Sequence, residues 1–334
     1  MPSAHSVFRV LPKSLAACAL LAGLSSPPLA AAQASGTWAP NAPVHLVVPY
    51  PPGGGTDVAA RLLAAGLGDK LGQPLIVENR PGANGVVAAN LVYGAKPDGL
   101  TLFFAVSDVI STAPHVNPDV IHFKPDGFRA VAPVGRGGYV LVAPAEKAKA
   151  TFAEMLQHMK APDAHLNYGH WGAGSMSQMA MEQFKLAVGV PNLKAIPYKG
   201  SAPVMNAVAG AQVDYAFIPP NLAVAAKSRL KMYAVSSAER IPLLPDLPTL
   251  KELGLDVNAE TLYGVVAPPG TPAAVVDALH DRMAAVTRDP AFAARLVDLG
   301  YASVSMSPAE MDAYLKTDYA RWGDVVKRAD IKAE

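Results

Sequence analysis

The chain of 334 residues contains a single cysteine, Cys18, and almost no net charge, with 28 Lys and Arg against 27 Asp and Glu. One thiol excludes an internal disulfide framework and the paired cysteines of a zinc site. The balanced charge, with no Lys/Arg run, leaves nucleic-acid binding without electrostatic support. Charged residues make up 16% and aromatic residues 7%, whereas apolar residues make up 51%. Such a chain can bury a core and is not disordered. Beyond residue 32 no apolar run reaches the ~20 residues that a membrane span needs.

What is present begins with a leader. Arg9 and Lys13 form a positive segment, residues 14–24 are apolar, and Ala30-Ala31-Ala32 offers a small-residue cleavage site. Residues 1–32 therefore read as a cleavable secretory signal peptide. Its removal takes Arg9 and Lys13 and leaves 26 basic against 27 acidic residues, a net charge of −1. Leu15-Ala16-Ala17-Cys18 matches a lipoprotein box, but only four residues separate Lys13 from Cys18 and the apolar run continues past it. Lipid anchoring at Cys18 is therefore not expected. The mature chain then lacks thiol chemistry altogether.

The stretch around which the rest is organised is Leu46-Val47-Val48-Pro49-Tyr50-Pro51-Pro52-Gly53-Gly54-Gly55-Thr56-Asp57. A short β-branched run reads as a buried strand and is followed by a Gly loop opening a helix. The glycines leave backbone amides uncovered, and the helix adds unpaired N–H groups and its positive dipole end. Such a loop can hold an anion without Lys or Arg. It is not a nucleotide P-loop, because Thr56-Asp57 follows Gly55 where that motif needs Lys and Ser/Thr, and no G-x-G-x-x-G runs through it. A tight turn without ligand is the competing reading. Asp57, in the first helical turn, is expected to cap and to compensate the dipole.

Strands are predicted over 44–49, 75–78, 100–106, 128–134, 139–143, 166–169, 195–198, 213–218, 230–236 and 262–267. Between them lie helical patterns. Residues 56–71 place Val58, Leu62, Leu63 and Leu67 on one side and end at Gly72. Others cover 86–93 and 177–188, and a capping box at Thr151 and Glu154 opens one more. Thr271-Pro272, Asp289-Pro290 and Ser307-Pro308 start three capped helices. Residues 135–138 read as a turn or crossing. The unit strand, Gly loop, helix recurs four times, at 53–55, 79–85, 170–175 and 199–203, two copies before residue 140 and two after it. That pattern predicts an α/β chain of two lobes with loops at the carboxyl ends of strands facing one cleft.

Residue-level signals for catalysis are few. Gly172-Ala173-Gly174-Ser175-Met176 lacks the G-x-S-x-G spacing of a nucleophile elbow. Ser175 is equally well a helix cap or a hydroxyl reaching a ligand. His158, His165 and His170 lack metal-site spacing. Trp171 lines a cleft or packs inside. Lys199 is the one cation well placed for a carboxylate, with a solvated loop lysine as the alternative. Met176, Met179, Met181 and Met205 read as core filler. No cofactor and no metal are expected.

At this point the residues resemble a family. Val47-Val48-Pro49-Tyr50-Pro51-Pro52-Gly53-Gly54-Gly55-Thr56-Asp57, Val77-Glu78-Asn79-Arg80-Pro81-Gly82-Ala83, Lys96-Pro97-Asp98-Gly99, Leu166-Asn167-Tyr168-Gly169, Pro197-Tyr198-Lys199-Gly200, Leu244-Pro245-Asp246-Leu247-Pro248-Thr249 and Ala267-Pro268-Pro269-Gly270-Thr271-Pro272 are similar to the tripartite tricarboxylate transporter receptors, the Bug/TctC-like substrate-binding proteins. The resemblance runs in order over nearly the whole mature chain. It implies an α/β, two-lobed periplasmic binding protein (type II-like, a Venus flytrap) with a central cleft and two crossing strands. Lobe 1 would comprise 43–138 and 265–334, and lobe 2 residues 139–264. It further implies a monomeric, non-enzymatic periplasmic receptor that presents a small carboxylate to the membrane permease subunits of a tripartite transporter.

The ligand-binding set expected on that basis is Tyr50, Gly53, Gly54, Gly55 and Thr56 from the first loop, and Asn84 and Gly85 from the second. Ser107 and Asp108 follow the third strand. His170, Trp171, Gly174 and Ser175 come from the third loop, Tyr198, Lys199, Gly200 and Ser201 from the fourth, and Pro219 and Asn221 from the segment after Phe217. The departures matter. The family's first loop usually reads Phe-Ala-Pro-Gly-Gly, and Pro51 here removes one N–H donor. Its third loop usually reads Ser-Ala/Ser-Gly-Asn-Gly-Thr/Ser, where this chain has the bulkier His170-Trp171-Gly172-Ala173-Gly174-Ser175. Ile218-Pro219-Pro220-Asn221 replaces a usual Asp-Asn. These changes point to a less polar ligand, an aromatic or aliphatic carboxylate. A secreted α/β enzyme using Ser175 or His170, and a sensor feeding a signalling partner, are the alternatives.

Overall fold

The computed structural model describes residues 38–332. The leader and Cys18 lie outside the described residues. The strands are β1 (Val44–Val48), β2 (Leu75–Asn79), β3 (Thr101–Val106), β4 (Arg129–Gly138), β5 (Val140–Pro144), β6 (Asn167–His170), β7 (Lys194–Pro197), β8 (Tyr215–Ile218), β9 (Leu230–Val235) and β10 (Glu260–Ala267). The α-helices are α1 (Gly55–Leu71), α2 (Val86–Tyr93), α3 (Ser107–Ser111), α4 (Ala113–Val116), α5 (Phe152–Met159), α6 (Met176–Val188), α7 (Ser201–Ala209), α8 (Pro220–Ala225), α9 (Ala273–Thr287), α10 (Pro290–Asp298) and α11 (Pro308–Arg328).

Two five-stranded sheets result, ordered β2-β1-β3-β10-β4 and β7-β6-β8-β5-β9. β1 pairs in parallel with β2 and β3, and β6 pairs in parallel with β7 and β8. Right-twisted βα units generate these parallel cores. The antiparallel members are β10, between β3 and β4, and β5, between β8 and β9. β4 runs into β5 with only Tyr139 between them, and the chain returns to the first sheet through β10.

The two crossings are laced together at Ser236. Its N–H donates to the Tyr139 carbonyl (2.9 Å), and its Oγ accepts from the Tyr139 N–H (2.9 Å) and donates to the Ala259 carbonyl (2.6 Å). Helix α11 spans both cores. Met311 and Leu315 pack with the first sheet, whereas Trp322, Val325 and Val326 pack with the second.

Three local expectations change. Val58 is 38% exposed, and the buried stripe of α1 is Ala59, Ala60, Leu63, Leu67 and Leu71. The small alanines and Gly66 bring α1 against α9, where a Cβ on residue 66 would strike Val286. Residues 135–138 form no turn but continue β4 to the crossing. The Thr271 hydroxyl donates back to the Pro268 carbonyl, and α9 starts from Pro272 without a side-chain cap. The capping box at Thr151 and the caps at Asp289 and Ser307 form as expected, and Glu310 completes a box at Ser307. The short helices α3, α4 and α8 carry no periodic signal long enough to read. Among the described residues no helix is long and apolar enough to cross a membrane.

Candidate functional site

One cavity of ≈ 310 Å³ is walled by both sheets' loops. Small-molecule sites span roughly 300–1,000 Å³, so the space suits a compact ligand. One wall is the first Gly loop, at the N-terminus of α1. The facing wall is 199–203, at the N-terminus of α7. Tyr139 from the crossing, Trp171 from the third loop, Tyr263 of β10 and Tyr301 complete an aromatic lining, together with Asp108 of α3 and Pro219, Asn221 and Leu222 around the start of α8.

The first loop is held in shape by Asp57. Its carboxylate accepts the Gly53 N–H (2.9 Å), the Asn79 side-chain amide (2.8 Å) and Arg61 Nε (3.0 Å). Burial pushes Asp57 up, but Arg61, the Gly53 N–H and Asn79 outweigh it and hold the carboxyl below its usual range. The Gly53 amide is thus consumed within the loop, against the expectation that it serves a ligand. Helix α1 makes its first backbone bond from Val58 to the Gly54 carbonyl, which leaves the amides of Gly54, Gly55 and Thr56 at the open end.

Gly55 has a second reason to be glycine. A Cβ there would collide with the Tyr301 hydroxyl, and a Cβ at Gly137 would come within 2.7 Å of the Tyr301 ring. Ala302 pairs with Arg136 across β4, which fixes that ring (N···O 2.7 and 2.9 Å). A phenol hydroxyl therefore sits at the helix start beside the exposed amides.

On the facing wall Gly200, at φ +115, turns the chain into α7. The Lys199 side chain stands at the exposed rim. Trp171 lines the cavity and also packs on the second sheet's cores, its ring 5.5 Å from that of Tyr139. Both readings of Trp171 hold together. The Tyr139 hydroxyl pairs with Thr261 Oγ1 (2.6 Å). Burial pushes the phenols of Tyr50, Tyr139 and Tyr263 up, and that of Tyr301 up to about 12, so all four remain neutral near pH 7. Asn221 Oδ1 is buried without a hydrogen-bond partner.

Asp108 is 1% exposed. Its Oδ2 accepts the Met176 N–H (3.1 Å), the first amide of α6. Burial pushes its carboxyl up to about 7, against the backbone amides of Met176, Val109 and Asp108 itself, which pull it down. The anion cradle at the third loop is thus filled by the protein's own carboxylate.

That arrangement explains which expected residues stand away from the cavity. Ser175 and His170 are fully buried, and the His170 ring meets the backbone of Gly172 (Nδ1···N 3.3 Å). Ser175 occupies the N-cap position of α6 but its hydroxyl makes no capping bond. The Gly174 N–H donates to Gln178 Oε1 (2.8 Å), and its carbonyl accepts from the Thr112 hydroxyl, so this loop is tied to α3 and α6. Asn84 backs the cavity by accepting the Tyr50 hydroxyl (3.1 Å). Gly85 is wedged between Pro49 and Val109. Ser107 Oγ accepts the Leu262 N–H (3.1 Å) in the interior. Tyr198 packs on the core beneath α7. The cavity brings together Tyr50, Gly53, Gly54, Gly55, Thr56, Asp108, Trp171, Lys199, Gly200, Ser201, Pro219 and Asn221.

Residues that sequence reasoning missed are Tyr139, Tyr263, Tyr301, Val106, Ala202, Pro203 and Leu222. Pro51 and Pro52, read only as loop formers, also line it. The glycines at 135 and 137 read as a turn or crossing, and nothing in the sequence showed that they make room for Tyr301. Among the described residues no group of three or more His, Cys, Asp or Glu could hold a metal ion.

Two α/β lobes joined by crossing strands around a central cavity define a periplasmic-type solute-binding protein. Within that class the chain belongs to the family described as the Tripartite tricarboxylate transporter family receptor, whose sequence profile matches residues 59–331. A UPF0065 protein of Bordetella bronchiseptica is 33% identical over 98% of this chain and 96% of its own length. The periplasmic binding protein BugD superposes with a TM-score of 0.79 at 32% identity, covering 88% of this chain and all of BugD. Rpa4515 of R. palustris, solved with adipate, gives a TM-score of 0.82 at 30% identity over 88% of this chain and 99% of that one.

Proposed function

We propose that the chain is a periplasmic receptor that captures a small carboxylate between the N-termini of α1 and α7 and delivers it to the membrane subunits of a tripartite permease. One observation carries this reading: two helix N-termini, one from each sheet, meet across one cavity whose lining cation among the described residues, Lys199, stands at the exposed rim. Amides and dipole ends are then the anion's partners. The adipate bound by Rpa4515 supports the ligand class. Export by residues 1–32 supplies the compartment.

In this reading residues 43–138 with 265–334 close against 139–264, hinging where β4 passes into β5 and where the chain returns through β10. Ser175 and His170, which a hydrolytic reading requires, do not reach the cavity. Pro51, Trp171, Pro219 and the tyrosines favour an aromatic or aliphatic carboxylate over a highly polar one.

Titration of the purified mature protein with a carboxylate panel, read by tryptophan fluorescence, tests the proposal. Saturable binding of one unchanged ligand per chain, strongest for less polar members, is expected. Binding of citrate or aspartate alone overturns the ligand class, and ligand turnover overturns the receptor role.

A further inference from the structure

Asp108 is a liability for a carboxylate receptor unless it is used. The cavity already aims two helix N-termini at an anion, yet a buried carboxyl shares its wall. Its Oδ2 is engaged by Met176, whereas Oδ1 makes no hydrogen bond. The Tyr50 hydroxyl donates to Asn84 (3.1 Å) and also lies close enough to Asp108 to interact with it.

Arg321 is engaged with Asp318 (2.7 Å), and among the described residues no cation is paired directly with Asp108. From the first loop it faces Tyr50, from the crossing Tyr139, and from α11 Asp318, a second acid that raises the cost of its charge. Lys199 is the only lining residue with a positive charge, and its side chain lies at the exposed rim. Two anions in one desolvated space cannot both stay ionised. A carboxyl already pushed up to about 7 takes the proton at little cost near neutral pH.

We propose that Asp108 binds ligand as a neutral acid, donating its Oδ1 proton to an oxygen of the bound carboxylate, so that capture of the anion takes up one proton from solvent. This rests on the carboxylate-receptor reading. It makes Asp108 a residue that selects against ligands presenting a hydrogen-bond donor at that point.

The test uses the mature protein with adipate, benzoate and 4-hydroxybenzoate as probes from pH 5.5 to 8.5. Calorimetry in two buffers of different ionisation enthalpy should show uptake approaching one proton per ligand at pH 8. Affinity should fall roughly tenfold per pH unit above 7. D108N keeps an oxygen for the Met176 N–H and places an amide donor where the acid proton sits. It should lose the pH dependence and the proton uptake, whereas D108A should bind weakly at every pH. Binding that is flat or strengthens with pH, without proton uptake by the wild-type protein, overturns the inference alone. So does a folded D108N that binds none of the probes the wild type binds. Failure of every probe to bind wild-type protein at any pH overturns the receptor reading itself.

Discussion

Asp57 and Asp108 are two buried aspartates in the first turns of helices, both close to the same cavity, and the protein treats them oppositely. Asp57 is given three partners, Gly53, Asn79 and Arg61, which together overcome its burial. Its carboxylate is part of the wall, and it spends a loop amide to shape the loop. Asp108 meets only backbone amides, foremost Met176 of α6, which fail to overcome its burial, while phenols and a second acid surround the rest. The same residue type is structural where its acceptors are filled and available where one is left open. A buried acceptor without a donor carries a standing cost, and a ligand can relieve it.

The largest expected effect breaks the comparison through pH. The folded-state carboxyl of Asp108 lies at about 7, above its ordinary value of 3.8. Folding is therefore unpenalised by this group below about pH 4 and loses stability as pH rises towards 7. The loss amounts to about 4 kcal/mol at most by pH 8. Urea denaturation of ligand-free wild type and D108N should give similar stabilities at pH 4 and a clear advantage for D108N at pH 8. Equal pH profiles would show that the Asp108 site is wetter than its burial implies. Asp57 has the opposite slope, since its lowered carboxyl contributes stability above the ordinary carboxylate range that is lost as pH falls through the folded value.

Next in size is D57A. It strips the acceptor from the Gly53 N–H and from Asn79, each a part-buried donor. A loss of about 1–2 kcal/mol is expected, because Asn79 keeps its bond to the Tyr50 carbonyl and water can reach the exposed Gly53. Ligand affinity should fall with it, because the Gly54, Gly55 and Thr56 amides lose the loop that orients them. A D57A protein of wild-type stability would mean that the cradle is held by Pro51 and Pro52 rather than by the carboxylate.

Much of this comparison was legible in the chain, and the reason is locality. The run 46–57 places strand, glycines, helix and Asp57 within a dozen residues, so its role followed from neighbouring positions. Gly72, at φ +70, ends α1 as a left-handed residue, again a local signal. Asp108 was marked as a site residue because it follows a strand, but its bond to Met176 spans 68 positions, and no local pattern encodes it. Together with the bonds of Gly174 to Gln178 and Thr112, that contact ties the third loop to α3 and α6, with Ser175 and His170 buried away from the cavity. The tyrosine lining was illegible for the same reason. Tyr139, Tyr263 and Tyr301 meet only because β10 inserts antiparallel between β3 and β4, and because residues 300–302 lie along the glycines of β4.

The smallest effect sharpens what holds Asp57. Arg61 pairs with it one helical turn away, at 3.0 Å, but the arginine side chain is half exposed. Exposed pairs on a helix are screened by solvent and salt and contribute little. The bonds from Asn79 and the Gly53 amide, by contrast, are part-buried and uncharged on the donor side, so salt screens them less. R61A should therefore leave the denaturation midpoint close to wild type, with the small change vanishing in high salt, while N79A shifts it at any ionic strength. A shift of equal size in R61A, resistant to salt, would move the weight of the loop onto the ion pair. It would also make the first wall of the cleft sensitive to ionic strength, unlike the wall built on Asp108.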